Sequence, residues 1–116
     1  MTFADTGDRY NGEFNIQGQM HGSGKMFYSN GDVYSGNFTE GMKEGQGQLT
    51  LANDKGMYIG DFQEDEMHGN GCFQFGDGSE FVGEFYKGLQ HGEGLLTTAD
   101  GTEMYGEWQH GVYQNV

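Results

Sequence analysis

Aromatic and small residues alternate with polar ones in short segments that recur every 23 or 24 residues along this chain. In the first segment Tyr10, Gly12 and Phe14 occupy alternate positions, which is the two-residue period of a half-buried strand. A second segment begins with Gly-x-Gly and continues with apolar residues at alternate positions. Each unit therefore predicts a β-hairpin. The openings begin at Tyr10, Tyr34, Tyr58, Phe81 and Met104, and the closing glycines are Gly22/Gly24, Gly45/Gly47, Gly69/Gly71 and Gly92/Gly94.

Within a unit, the two strands are expected to be joined by a surface loop, such as residues 15–21 and Thr39–Glu44. Turn dipeptides separate one hairpin from the next. Asn30-Gly31, Asp77-Gly78 and Asp100-Gly101 are tight-turn sequences, because these residues tolerate positive φ. Repetition of one small unit predicts a stack of hairpins in place of a single globular core. We therefore expect an all-β fold: an elongated, single-layer, open-ended antiparallel meander of consecutive hairpins. Its one domain, residues 1–116, divides into a partial unit (1–9), four repeats (10–33, 34–57, 58–80 and 81–103) and a second partial unit (104–116).

The strand glycines predict how the rings pack. Glycine inside a strand costs about 0.5–1 kcal/mol relative to alanine, so its recurrence needs a physical reason. Close approach supplies one: a ring lying flat over a neighbouring strand would occupy the space of a side chain at Gly12 or Gly24. We therefore expect the aromatic and glycine patterns to form one packing device.

The aromatic positions are also the first candidate binding surface. A single-layer sheet has nothing above this face, so we expect a groove with partly exposed rings, and exposed apolar surface with a polar rim typically marks a protein contact. Rings that serve structure alone are the alternative. The candidate groove residues are Tyr10, Phe14, Tyr34, Phe38, Tyr58, Phe62, Phe81, Phe85 and Trp108.

An acidic row is the second candidate. Glu13, Asp61, Glu84 and Glu107 stand between the motif glycine and the second aromatic residue, with Asn37 at the same place in the second repeat. They predict either a track that favours a basic partner or a solvated face.

Charge and cysteine content narrow the function classes. The net charge of -13, with five Lys and Arg residues scattered singly, disfavours nucleic acid and direct contact with anionic membranes. Cys72 is the only cysteine, so no internal disulfide is possible and a cytoplasmic, reducing environment is expected.

Candidate metal and catalytic residues do not form a recognisable site. His21, His68 and His91 recur at equivalent positions, which two strands per unit separate by about 10 Å, too far to share one ion. They are predicted to bond loop backbone, and His110, out of register, to lie on the surface. The run 64–66 is acidic but lacks an EF-hand loop. We therefore expect no enzyme activity, cofactor or metal.

The repeat Phe81-Val-Gly83-Glu-Phe85-Tyr-Lys-Gly88-Leu-Gln-His91-Gly92-Glu-Gly94, followed by Asp100-Gly101, resembles the MORN (membrane occupation and recognition nexus) repeat family. The resemblance covers residues 10–103 and implies a curved sheet of hairpins acting as a non-enzymatic scaffold, adaptor or targeting module. Departures from the family pattern are Glu44 in place of His, Asp65 in place of the loop glycine, Phe81 and Met104 at the first aromatic position, and Trp108 at the second.

These observations together predict a cytoplasmic protein-binding scaffold. Its aromatic groove would hold a partner peptide or helix, and its acidic rim would favour a basic partner. The resemblance adds two alternatives, a membrane-proximal module that recognises phosphoinositides and a homo-oligomeric cytoskeletal or ciliary element. Open sheet edges at both ends favour homodimer formation.

Overall fold

The structure, a computed structural model, describes Phe3 and residues 6–114. Ten strands form one open antiparallel sheet in chain order, which confirms the expected meander of hairpins. The described chain is elongated, with extents of 50 × 26 × 20 Å. No helix that could cross a membrane occurs among these residues. The strands are β1 (Arg9–Phe14), β2 (Met20–Phe27), β3 (Val33–Thr39), β4 (Met42–Leu51), β5 (Gly56–Gln63), β6 (Glu66–Phe75), β7 (Glu80–Tyr86), β8 (Leu89–Thr97), β9 (Glu103–Gln109) and β10 (Val112–Tyr113).

A row of paired glycines crosses the sheet from β1 to β9 and explains why the motif needs them. The pattern is clearest at Gly47, where an added Cβ would lie 2.5 Å from Cζ of Tyr34. The ring therefore lies directly on the backbone of the neighbouring strand, as the sequence predicted. The row consists of Gly12, Gly24, Gly36, Gly47, Gly60, Gly71, Gly83, Gly94 and Gly106.

The rings that cover this row form a continuous series of edge-to-face contacts, which we call the aromatic ladder. Successive centroids lie 5.0–5.3 Å apart and the planes cross at 77–88°. Each such pair contributes about 0.5–1.5 kcal/mol beyond its buried area. Because each repeat contacts the next through these rings, the ladder is the core of the stack. It contains Tyr10, Phe14, Tyr34, Phe38, Tyr58, Phe62, Phe81, Phe85 and Trp108.

Tyrosine hydroxyls anchor the ladder to the backbone in the first three repeats. Tyr34 donates to the carbonyl of Asn37 at 2.9 Å, and Tyr10 and Tyr58 make the same bond three residues onward at 2.7 and 2.8 Å. Phe81 has no hydroxyl to make this bond. Trp108 instead donates its indole N–H to the carbonyl of Gly94 at 3.2 Å.

The hairpin ends are tighter than expected in all units after the first. Thr39–Glu44 was predicted as a loop, but β3 and β4 continue to a two-residue turn at Glu40 and Gly41, with φ of 48° and 84°. Positive φ at both central residues matches the twist of antiparallel strands and is typical of a type I′ turn. The turn also bonds the preceding hairpin, because the Gly41 N–H donates to the Met20 carbonyl at 2.9 Å. The prediction of a surface loop is therefore wrong here.

Longer connections occur where the sequence has extra residues. The first hairpin keeps the predicted loop between Phe14 and Met20, and the extra residues after Leu51 form a short 3-10 segment, Ala52–Asp54. At the Asn30-Gly31 turn, the Tyr28 N–H donates to the Asp32 carbonyl at 2.9 Å. Within the described residues β1 pairs with β2 alone, and β10 with β9 alone, so both outer strands have an open edge.

Candidate functional site

The nine predicted groove residues are brought together in the ladder, but eight of them are closed to solvent. Their exposed fractions are 0–5%, and only Phe14 is exposed, at 45%. The prediction of a groove floor made of partly exposed rings is therefore wrong for Tyr10, Tyr34, Phe38, Tyr58, Phe62, Phe81, Phe85 and Trp108. The physical reason is that each ring is covered by its neighbours in the ladder and by the glycine backbone beneath it, so no second layer is required.

The two ends of the ladder differ. Phe14 contacts only Tyr10 within the ladder, whereas Phe38 lies between Tyr10 and Tyr34. At the other end Tyr113 packs on Trp108 with centroids 5.1 Å apart. Phe14 is therefore exposed because it contacts one ring of the ladder, whereas each other phenylalanine of the ladder contacts two.

Half-buried apolar side chains lie on the same face and flank the rings; we call them the ladder margin. Leu49, Phe73 and Leu96 are cross-strand neighbours of the first aromatic residue in the second, third and fourth repeats, and Phe75 packs on Phe73 with centroids 4.7 Å apart. Together with Tyr28 they pack against the core while keeping part of their surface in solvent. This margin is the partly exposed apolar surface of the ladder face.

The acidic row has a structural role that the sequence did not reveal. The first four hairpins have a β-bulge at this position. In the first, third and fourth, a carboxylate there accepts the backbone N–H that follows a glycine with positive φ. Glu84 accepts from the N–H of Glu93 at 2.9 Å. Glu13 accepts from the N–H of Ser23 at 2.7 Å, and Asp61 from that of Asn70 at 3.0 Å. For Glu107 the equivalent N–H would belong to Val116, which lies outside the described residues.

The recurring histidines lie beside the hairpin turns. Nδ1 of His21 accepts the N–H of Glu40 at 3.4 Å, which confirms the predicted turn-backbone role for that residue. His68 and His91 pack on opposite sides of Tyr86, with centroids 5.5 and 5.6 Å apart, and His110 follows beside His91 at 5.2 Å. Within Phe3 and residues 6–114, no three His, Cys, Asp or Glu side chains converge on a common metal position.

Burial alters the acid–base behaviour of the ladder. Removal from water raises the pKa of the Tyr34 and Tyr58 hydroxyls well above the usual tyrosine range, with nearby Tyr28 and Asp61 acting in the same direction. Burial also raises the pKa of the Cys72 thiol, and Glu80 adds to the effect. Raised thiol pKa values disfavour the thiolate, so Cys72 should react more slowly than an unperturbed thiol.

Comparison of the sequence with known protein families identifies the repeat. The model of the MORN repeat aligns four times, at residues 10–33, 34–55, 58–80 and 81–103. The chain belongs to the MORN repeat family. This is a non-catalytic family of repeats, whose members are typically modules associated with proteins or membranes.

Alsin is a relative that shares these MORN repeats. The chain is 32% identical to alsin from Rattus norvegicus over 73 residues, and 32% identical to alsin from Homo sapiens over 74 residues. Each alignment covers 60% of this chain and 4% of alsin. The similarity therefore concerns the repeat module and extends to a small part of the larger protein.

One feature of these MORN repeats was missed at the sequence level: an apolar stripe on the face opposite the ladder. Cross-strand pairing joins Ile59 to Cys72, Cys72 to Val82, Val82 to Leu95 and Leu95 to Tyr105. The signal is present in the sequence, because these residues flank the motif glycines. At the same repeat positions the first half of the chain has Asn11, Lys25, Ser35 and Gln48.

Proposed function

We propose that this chain is a non-enzymatic protein-binding scaffold whose ladder face holds a partner peptide or helix against the ladder margin. The observation that supports this proposal is the half-buried row of Tyr28, Leu49, Phe73, Phe75 and Leu96 beside a core that is already complete. Contiguous apolar side chains that remain partly exposed typically mark a protein contact. The buried rings hold the surface in place, and the partner contacts the margin.

Charge favours a basic partner. The chain carries -13, and within the described residues one ion pair occurs, between Lys43 and Asp65 at 3.6 Å. Most carboxylates are therefore available to steer a positively charged segment towards the sheet. Direct association with phosphoinositides is disfavoured by the same field. The proposal places the protein in the cytoplasm, where a lone cysteine stays reduced, with cytoskeletal or ciliary structures as expected sites from the family resemblance.

Quantitative affinity purification with matched variants tests this function. Phe73→Ser combined with Phe75→Ser removes two aromatic side chains of the margin, and Ile16→Ser removes an apolar side chain that is 100% exposed in the first hairpin loop. Circular dichroism and thermal melting establish that each variant is folded. We expect the wild type and Ile16→Ser to capture the same proteins, and we expect the double variant not to capture them. Equal capture by all three chains would contradict the use of this face.

Sedimentation with vesicles addresses the membrane alternative. Vesicles of phosphatidylcholine with a phosphoinositide are mixed with the wild-type chain at two salt concentrations. We expect the chain to remain in the supernatant, because its negative field opposes an anionic surface. Salt-sensitive sedimentation would contradict the scaffold proposal in favour of membrane recognition.

A further inference from the structure

The apolar stripe on the face opposite the ladder is exposed and continuous. Ile59, Val82 and Tyr105 are exposed by 47%, 49% and 67%, and Cys72 and Leu95 are half-buried between them. They lie on five adjacent strands, β5 to β9, so neighbours in the stripe are about 4.8 Å apart. The stripe is therefore about 19 Å long.

The repeat fold does not require apolar residues at these positions. Ser35 and Val82 both precede the motif glycine of their repeats, and their strands have the same length and the same bulge. The first half of the sheet forms the same ladder with polar residues on the opposite face. Packing within the chain therefore leaves the apolar character of the second half unexplained. An exposed apolar row of this kind typically marks a contact with another molecule.

Carboxylates lie along both sides of the stripe. Glu80 and Glu103 lie two residues from it along their strands on one side, and Glu84, Glu93 and Glu107 lie two residues from it on the other. No Lys or Arg occurs within strands β5, β6, β7, β8 and β9 themselves, and Lys87 lies in the turn between β7 and β8. The two acidic rows are four residues apart along a strand, which corresponds to about 13 Å. The stripe is thus an apolar strip bounded by negative charge.

We propose that this stripe docks an amphipathic α-helix of a partner protein, with an apolar side flanked by Lys and Arg residues. A helix about 10–12 Å in diameter fits between acidic rows about 13 Å apart, so basic side chains on its two flanks reach both rows. About 13 helical residues, rising 1.5 Å each, match the length of the stripe. One helical turn of 5.4 Å is close to the strand spacing of about 4.8 Å, so successive apolar side chains meet successive strands. The inference goes beyond the proposed function because it adds a second docking face.

A synthetic peptide tests this inference with purified protein. The probe is a 15-residue fluorescent helix with Leu on one side and Lys on both flanks, and a second peptide of identical composition has its Leu residues scattered. Binding is measured by fluorescence anisotropy at physiological salt. We expect the amphipathic peptide to bind at least tenfold more tightly than the scattered one. Equal binding of both peptides, or no binding of the first, would overturn the inference.

Two substitutions with the same charge change locate the site. Val82→Lys adds one positive charge within the stripe, and Ser35→Lys adds one at the equivalent position of the polar half. We expect the first to weaken binding at least tenfold and the second less than threefold. Tyr105→Lys, at the most exposed stripe position, provides a second variant should Val82→Lys unfold. Equal weakening by Val82→Lys and Ser35→Lys would mean a diffuse charge effect and would overturn the inference.

The lone cysteine reports contact with the stripe directly. Cys72 lies in the second strand of the stripe, and it is the only thiol in the chain. We expect saturating peptide to slow its reaction with a bulky polyethylene-glycol maleimide at least fivefold, and an unchanged rate would overturn the inference. Phe75→Ser, on the ladder face, should leave peptide affinity unchanged, which separates this test from that of the proposed function.

Two other occupants of the stripe give distinct results. If the stripe joins two copies of this chain, the wild type will dimerise in sedimentation equilibrium and Val82→Lys will be monomeric, which would overturn the helix assignment. If the stripe binds a membrane, the wild type will sediment with phosphatidylserine vesicles and Val82→Lys will remain in the supernatant. This result would also overturn the helix assignment. The proposal is supported if the wild type is monomeric, does not sediment with vesicles and binds the peptide.

Discussion

Gly47 provides a sharp test of the packing between rings and glycines. In Gly47→Ala the new Cβ would lie 2.5 Å from Cζ of Tyr34, far inside a normal contact, and the backbone at Gly47 has no positive φ that would itself penalise alanine. Tyr34 is fully buried between its neighbours, so its ring cannot move without leaving the ladder. The substitution therefore perturbs the ladder through a single methyl group.

The expected cost follows from the contacts that Tyr34 makes. Displacing the ring weakens edge-to-face contacts with Phe38 and Phe62, at about 0.5–1.5 kcal/mol each. It also breaks the hydrogen bond from the Tyr34 hydroxyl to the Asn37 carbonyl, worth about 1 kcal/mol. The free energy of unfolding should fall by about 2–4 kcal/mol, a large part of the roughly 5–15 kcal/mol of a typical domain.

Gly41→Ala is the matched control. An added Cβ at Gly41 meets nothing within 4 Å among the described residues, but φ there is 84°. Its cost is therefore the penalty of the left-handed conformation alone, about 1–2 kcal/mol. Urea unfolding followed by circular dichroism gives both values. A loss in Gly47→Ala no larger than that in Gly41→Ala would refute the packing argument.

Three further predictions concern stability. Phe81→Tyr should raise the free energy of unfolding by about 0.5–1.5 kcal/mol in urea titrations, because the new hydroxyl can donate to the carbonyl three residues onward, as in the first three repeats. An unchanged free energy of unfolding would contradict a stabilising role for this hydrogen bond. Glu84→Ala should cost about 1–2 kcal/mol through the lost bond to the Glu93 N–H. Glu103→Ala, which removes an exposed carboxylate of β9, should change stability by less than about 0.5 kcal/mol, and equal effects would assign the cost of Glu84→Ala to charge alone. The free energy of unfolding should fall above about pH 10, because the unfolded chain releases tyrosine protons there while Tyr34 and Tyr58 retain theirs in the folded state. Absorbance at alkaline pH should show that these two tyrosines ionise only when the chain unfolds. Their ionisation in the folded chain would contradict the burial of their hydroxyls.

The repeat pattern was sufficient to predict the fold because periodicity and register are local properties. Alternation placed Tyr34 and Gly36 on one face, and the paired glycines aligned the strands. Turn geometry was less predictable. Glu40 and Lys87 adopt positive φ, which neither residue type favours, because continued pairing of the strands requires a two-residue turn there.

The burial of individual rings could not be predicted from the sequence. The exposure of a ring in a one-layer sheet depends on where neighbouring rings lean, and Phe14 and Phe38 have the same motif position with exposed fractions of 45% and 2%. The role of Glu84 was hidden for a related reason, because the β-bulge that turns its carboxylate towards the Glu93 N–H is a property of strand pairing.

Fluorescence of Trp108 tests most directly whether the ladder is a closed core. Trp108 is the only tryptophan in the chain, lies at the C-terminal end of the ladder and is 5% exposed. We expect a blue-shifted emission that acrylamide quenches poorly in the folded chain, and a red-shifted, strongly quenched emission in urea. Red-shifted emission and strong quenching in the folded chain would contradict a closed ladder.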